Sequence, residues 1–248
     1  MNLQNLTWPD SKRYLRNDTV LIPTGSVEQH GLHNQVGCDY MIAERLCHEV
    51  AEKKDVLVCP PLPFGVSKHH RHFFGTVWIE ASTFKNFVLD VCMSLASHKT
   101  ERIVIVNGHG GNTPYLLDVV REIREKGIAC ALFEWWKVPS DEFFEEIFGK
   151  EAVKIWGHAC AVETSLNMYL HPDLVKLERA KDVNVEWSPK VHGGQMNIDT
   201  IDFTKTGNIG FPTHANLEAG KRIFDFVTKE LLALIEWMER EKVEKGHK

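Results

Sequence analysis

Glu28, His30 and Asp39 are three metal-ligand side chains set along one glycine-rich loop that follows an apolar run at 20–23. In extended backbone successive side chains alternate faces, so Glu28 and His30, two apart, point the same way. Asp39 arrives after a turn. A carboxylate, an imidazole and a second carboxylate make a hard, mixed N/O set of the kind that suits zinc, manganese or iron(II). The same residues also fit a plainer description, as polar loop positions with Asp39 the N-cap of a helix starting at Tyr40.

A second chemical stretch is Asn107-Gly-His-Gly-Gly-Asn112. It follows a β-branched run at 103–106, so His109 sits just past the carboxyl end of a strand, the edge at which open α/β sheets bind ligands. Glycines on both sides leave the imidazole uncovered by neighbours, which suits a ligand better than a packed core residue. The loop lacks the Gly-Lys-Ser/Thr ending of a P-loop and the Gly-x-Gly-x-x-Gly of a dinucleotide site. A third group is His158, Cys160 and Glu163, at the start of a helix whose dipole favours anions. Glu163 there is either a site carboxylate or an ordinary first-turn acid, and Cys160 is a weak candidate nucleophile. The tract Lys68-His-His-Arg-His72 reads as a loop lining the site.

The elements that must position these residues are legible from periodicity. Strands are expected at 19–23, 56–59, 103–106 and 128–133, the second stopped by Pro60, Pro61 and Pro63. Helices are expected at 40–53, at 83–98 with Ser82 or Thr83 as cap, and from Thr113-Pro114 to Lys126-Gly127. Others are expected around 141–148, after His158, and over 216–239 with Ile223, Phe224, Val227, Leu231, Leu234, Ile235 and Met238 as its stripe. A short strand is expected after Asp173, then an irregular stretch containing His192-Gly-Gly, and the charged end reads as frayed. Strand, helix, strand is the opening of an α/β fold, and the whole reads as a single domain over 1–248.

Composition narrows the function classes. The chain has 248 residues, 43% of them hydrophobic, and a net charge of -5. That is enough for a sizeable core and carries no basic footprint for nucleic acid. No window reaches the ~18 uncharged apolar residues of a membrane span, and the N-terminus lacks the pattern of a signal peptide, so the expectation is a cytoplasmic protein. The six cysteines form no Cys-x-x-Cys pair and read as reduced, mostly buried thiols.

The ordered pieces Gly25-Ser-x-Glu-x-His-Gly-x-His33 with Asp39, Phe73-x-Gly-Thr76, Asn107-Gly-His-Gly-Gly-Asn112, His158-Ala-x-x-x-Glu-Thr-Ser165 and Gly210-x-Pro212 resemble the creatininase family of metal-dependent hydrolases. The resemblance implies a three-layer α/β/α domain with a mostly parallel sheet, two divalent ions at the strand ends, and a homo-oligomer, often a hexamer. It also implies that Glu28 and His109 hold one ion, His30 the other, and Asp39 both. Creatininase itself carries a glutamate ligand at the position of Gly111, so Glu163 is expected to replace it, and creatininase activity proper is not expected. Phe74, Phe211, the run 34–38 and Cys160-Ala161 also depart from the family pattern, around the expected pocket.

The chemistry so implied is hydrolysis, since a pair of divalent ions lowers the pKa of a bound water from ~15.7 toward ~7. His158 or a ligand carboxylate would then protonate the leaving nitrogen. The leading expectation is cleavage of a C–N amide bond in a small cyclic amide or formamide-type molecule, with Trp135, Trp136 and Trp156 either shaping a flat pocket or filling the core. The alternatives are opening of a ring C–C bond in a cyclic keto-sugar or inositol derivative, trimming of a peptide-derived cofactor precursor, and a non-catalytic metal-binding scaffold.

Overall fold

The computed structural model describes residues 1–15, 19–150, 156–185, 194 and 196–241. Helix α1 (Trp8–Tyr14) precedes strand β1 (Thr19–Thr24), helix α2 (Cys38–Lys53) and strand β2 (Leu57–Val58). Then come α3 (Ala81–Ser97), β3 (Arg102–Asn107), α4 (Thr113–Glu125) and β4 (Ala129–Glu134). The remainder is helical: α5 (Asp141–Phe148), α6 (Ala161–Leu170), the single turn α7 (Thr200–Phe203) and the long α8 (Leu217–Arg240).

The strands form one parallel sheet in the order β2-β1-β3-β4. Parallel neighbours need a crossover, and α2, α3 and α4 supply one between each successive pair of strands. Crossover helices cover both faces, which is why the strands read as near-continuous apolar runs. Period two then divides them: Val20, Ile22, Ile103 and Ile105 pack with Phe84 and Val88 of α3 and Leu116 and Val119 of α4. Leu21, Val104 and Val106 face the other way, into Ile42 and Leu46 of α2 and Ile223, Phe224 and Val227 of α8. Truncating a fully buried member such as Ile105 or Ile223 to alanine is a change that costs about 2–5 kcal/mol.

Several local expectations are corrected. β1 runs through Pro23 to Thr24, because the proline carbonyl still accepts a bond from Leu62 N–H at 2.9 Å. α3 starts at Ala81 with Glu80 in the cap position and no side-chain cap, and it buries Phe84, Val88, Cys92 and Leu95 while Phe87 is half exposed. In place of a strand after Asp173 the described residues form 3-10 turns at Pro172–Leu174 and Leu177–Arg179 and an isolated bridge of Val183 with Gly210. His192 and Gly193 of the His192-Gly-Gly segment and the terminal stretch 242–248 lie outside the described residues.

The sheet order sets the site. From β1 the chain crosses to one side to make β2 and then returns past β1 to make β3 and β4 on the other. The carboxyl ends of β1 and β3 therefore flank the point where the direction of winding reverses, which is where such sheets leave a crevice. Glu28 and His30 follow β1, and His109 follows β3.

Candidate metal centre

Two glycines bring a third element to that crevice. The first turn of α2 lies so close to the strand ends that a Cβ on Gly25 would meet Tyr40 N at 2.3 Å, and one on Gly108 would meet Asp39 O at 2.1 Å. Only residues without a side chain allow this approach, and it carries the Asp39 carboxylate in between β1 and β3. The loop after β1 is closed by Glu28 N–H donating to Val36 O at 2.8 Å. Asn107, at the end of β3, clamps the His109 backbone from both sides: its Oδ1 accepts from His109 N–H and its Nδ2 donates to His109 O.

Asp39 stands between two histidines. Its Oδ1 is 2.9 Å from His30 Nε2 and its Oδ2 is 3.0 Å from His109 Nδ1. Glu28 Oε2 also faces His109 Nδ1, at 3.1 Å, and Glu163 Oε1 reaches to 3.9 Å of His30 Nε2. All five residues expected from the sequence thus converge: Glu28 and His109 on one side of the Asp39 carboxylate, His30 and Glu163 on the other. Glu28, His30, Asp39 and His109 are buried.

Backbone carbonyls dictate how these imidazoles present themselves. A carbonyl only accepts, so the ring nitrogen facing one must carry the proton. His30 Nδ1 donates to Glu28 O at 3.1 Å, His109 Nε2 to Val66 O at 3.2 Å, and His158 Nε2 to Gln29 O at 2.7 Å. In the neutral rings the opposite nitrogens, His30 Nε2 and His109 Nδ1, turn lone pairs toward carboxylate oxygens about 3 Å away. Two acceptors hold that spacing only with a proton or a metal cation between them. Glu28 Oε2, His30 Nε2 and Asp39 Oδ2 are correspondingly buried with no hydrogen-bond partner among the described residues. Leaving such groups unpaired is costly, and a divalent ion satisfies them together, so this donor set fits one.

The electrostatics agree. Burial disfavours the charged form of His109, but the Glu28 and Asp39 carboxylates outweigh it and hold its pKa up at about 10. Burial likewise opposes charge on His30, yet Cys38 and Asp39 raise it well above 6.5. For Glu28, His109 and His70 overcome burial and keep its pKa well below 4.5. Glu163 is pushed up to about 7 by burial, and His158 well below 6.5 by burial and then by His30 and His70. Without metal, a proton sits where the lone pairs and carboxylates meet.

Gly37, not Asp39, is the N-cap of α2; Asp39 lies in the first turn with its side chain in the crevice. Glu163 does both things the sequence allowed, since Oε2 accepts from Cys160 N–H at 3.3 Å to cap α6 while Oε1 faces His30. Cys160 is buried and its thiol is pushed up to about 12 by burial, which leaves it no nucleophilic role. The histidine tract divides: His72 pairs with Asp199 at the surface, His69 stacks on His109 at 5.8 Å, and His70 is buried with Nε2 3.3 Å from Glu28 Oε1. Sequence reasoning marked the tract but not His70, nor Gln29 beside it; nothing in a run of three histidines says which one a 3-10 turn at Lys68–His70 will bury.

A cavity of about 730 Å³ opens onto Glu28, Asp39, His109, His158 and Glu163. Trp135, Trp136, Trp156, Met196 and Phe203 are among its apolar lining residues, and Lys68, Arg71 and Asp199 among its charged ones. The tryptophans therefore belong to both readings, since Trp135 and Trp156 also pack in the α2–α6–α8 core.

Comparison with known proteins gives a consistent answer. A family model described as creatininase, creatinine amidohydrolase, matches residues 4–235. A creatinine amidohydrolase from Pseudomonas putida is 32% identical over 239 residues, covering 89% of this chain and 90% of that one. A mycofactocin precursor peptide peptidase from Mycobacterium ulcerans (strain Agy99) is 31% identical over 232 residues, covering 88% of this chain and 81% of the relative. Among solved structures, an E122Q mutant creatininase of Zn-Zn type superimposes with a TM-score of 0.83 at 25% identity, covering 97% of this chain and 98% of that one.

Proposed function

The chain belongs to the creatininase family, and from that premise we propose that it hydrolyses a C–N amide bond in a small cyclic amide or formamide-type substrate at a two-ion centre. It is a metal-dependent hydrolase by family; the bond, the substrate and the ligand roles are the proposal. Glu28, Asp39 and His109 would hold one divalent ion, and His30, Asp39 and Glu163 the other. The observation that carries this reading is the split of the Asp39 carboxylate, one oxygen to His30 Nε2 and one to His109 Nδ1. Zinc, manganese or iron(II) suits such a donor set.

Divalent ions held by these residues would supply an activated water near neutral pH and a Lewis acid for a substrate carbonyl. The chain's own part is positioning and proton transfer. His158 donates through Nε2 to Gln29 O, so in its neutral form the lone pair is on Nδ1, 3.8 Å from Glu28 Oε1. Burial keeps that ring neutral at pH 7. His158 Nδ1 is thus set to take the proton released as water attacks and to hand it to the departing nitrogen, a contribution of about 10²–10⁴-fold. Trp135, Trp136 and Trp156 line the cavity in which the substrate would sit.

One observation favours a second substrate within the same chemistry. A cavity of about 730 Å³ is of the size that encloses drug-sized ligands rather than a single small ring, which fits trimming of a peptide end. A hydrolysis screen of the metal-loaded protein separates these. Cyclic amides releasing a new amine support the leading reading, and peptides releasing a terminal residue support the second. A new carboxylate without an amine, from a cyclic ketone, would replace both with C–C cleavage.

A further inference from the structure

Glu28, His70 and His158 lie close enough together to hold an ion, yet the hydrogen bonds around His70 give that ring the opposite polarity to its neighbours. Gly31 N–H donates to Gln29 Oε1 at 3.0 Å, and Gln29 Nε2 donates to Gly207 O at 2.9 Å. These two backbone contacts fix which end of the Gln29 amide is nitrogen. Its second N–H then points at His70 Nδ1, 2.9 Å away. The Thr200 hydroxyl lies 2.9 Å from the same nitrogen. Gly207 makes the arrangement possible, since a Cβ there would meet Gln29 Oε1 at 1.9 Å.

We propose that Gln29 and His70 are positioning residues that direct an N–H at Glu28 Oε1 and so leave Oε2 as the single ligating atom of Glu28. His70 Nδ1 accepts, so the ring proton sits on Nε2, which faces Glu28 Oε1 at 3.3 Å. Glu28 Oε2, 3.1 Å from His109 Nδ1, is the oxygen left for the ion. His30, His109 and His158 each give their proton to a backbone carbonyl and turn a lone pair inward. His70 does the reverse. The cluster of Glu28, His70 and His158 is therefore not a third ion site. A carboxylate held to one ligating oxygen keeps a coordination position open, as a catalytic centre requires. This inference rests on the two-ion reading for its consequence but not for its geometry.

The test uses full-length protein labelled with ¹⁵N-histidine, first metal-free and then loaded with ¹¹³Cd. The expected result is a His70 ring with Nδ1 unprotonated and Nε2 protonated in both states, and cadmium coupling at His30 and His109 but none at His70. Gln29→Met should move both His70 nitrogen shifts toward the tautomer average. His70→Asn, which loses the donor toward Glu28, should weaken zinc binding about 10–100-fold in chelator competition. His70→Gln, whose amide reaches about as far as Nε2, should recover most of that loss. A protonated Nδ1, cadmium coupling at His70, or equal losses in His70→Asn and His70→Gln would overturn the relay. Unchanged zinc binding in His109→Ala would instead overturn the two-ion reading, while the metal-free spectrum still reports the tautomer of His70.

Discussion

Gly111→Glu would supply the carboxylate that the family resemblance implies at this position, and the expected outcome is weaker metal binding. A Cβ at 111 would lie 2.4 Å from His109 Nε2 and 2.3 Å from Val66 O. Those are the two atoms whose 3.2 Å hydrogen bond holds His109 with Nδ1 toward Glu28 and Asp39. Forcing a side chain between them costs about 1–3 kcal/mol of packing strain. Loss of a bond that orients a ligand imidazole lowers affinity about 10–100-fold, or about 1.4–2.8 kcal/mol. Zinc titration of the metal-free protein against a chromophoric chelator reads the affinity, and urea unfolding reads the strain. Gly111→Ala, with a methyl group alone, should move both in the same direction. Glu163→Gln should bind about one ion per chain in place of about two, because the second ion loses a ligand. Parental affinity in Gly111→Glu, or recovery of the second ion when it is combined with Glu163→Gln, would refute the reasoning.

Three further outcomes follow from the same geometry. His158→Gln should lower kcat by about 10²–10⁴-fold once a substrate is in hand, with metal content unchanged; a parental kcat would remove His158 from the proton path. In the metal-free protein, His109 is raised to about 10 and Glu163 to about 7, so the native state binds more protons than the unfolded chain above the ordinary pKa of each. The contribution of these two groups is complete below the ordinary pKa of each and is lost as pH rises through the raised values, on the order of 2 kcal/mol between pH 7 and pH 9. Saturating zinc should flatten that slope, because the ion takes the place of the proton; urea midpoints that rise with pH without metal would contradict this. Five of the six free cysteines are buried, with Cys59, Cys92 and Cys160 pushed up to about 12 by burial. Native protein should therefore react slowly with a disulfide reagent and rapidly in urea, whereas a fast phase assigned to Cys160 would reopen its role.

Much of this was legible in the sequence because the chemistry lies where local rules are strong. β1, β3 and β4 are runs flanked by turn residues, and α2, α4 and α8 show their apolar stripes, so the expected elements fall within a few residues of the observed ones. Glu28, His30 and His109 directly follow strands, which places them at a carboxyl edge before any sheet order is known. What stayed open depended on long-range packing. Asp39 read equally well as a cap, and only the close seating of α2 on Gly25 and Gly108 aims it into the crevice. Glu163 read as a first-turn acid because it is one; its second oxygen reaches His30 only because α6 packs beside α2. The roles of Gln29 and His70 rest on a hydrogen bond to Gly207, far away in the chain, and no local pattern announces such a partner.

The most direct test of the central claim is the number of metal atoms per chain, measured by elemental analysis on protein purified without chelator and again after reloading with zinc or manganese. The account predicts about two per chain, falling when Asp39 is replaced by alanine because both ions share that carboxylate. One ion or none after reloading, or an Asp39→Ala variant that keeps both, would contradict it.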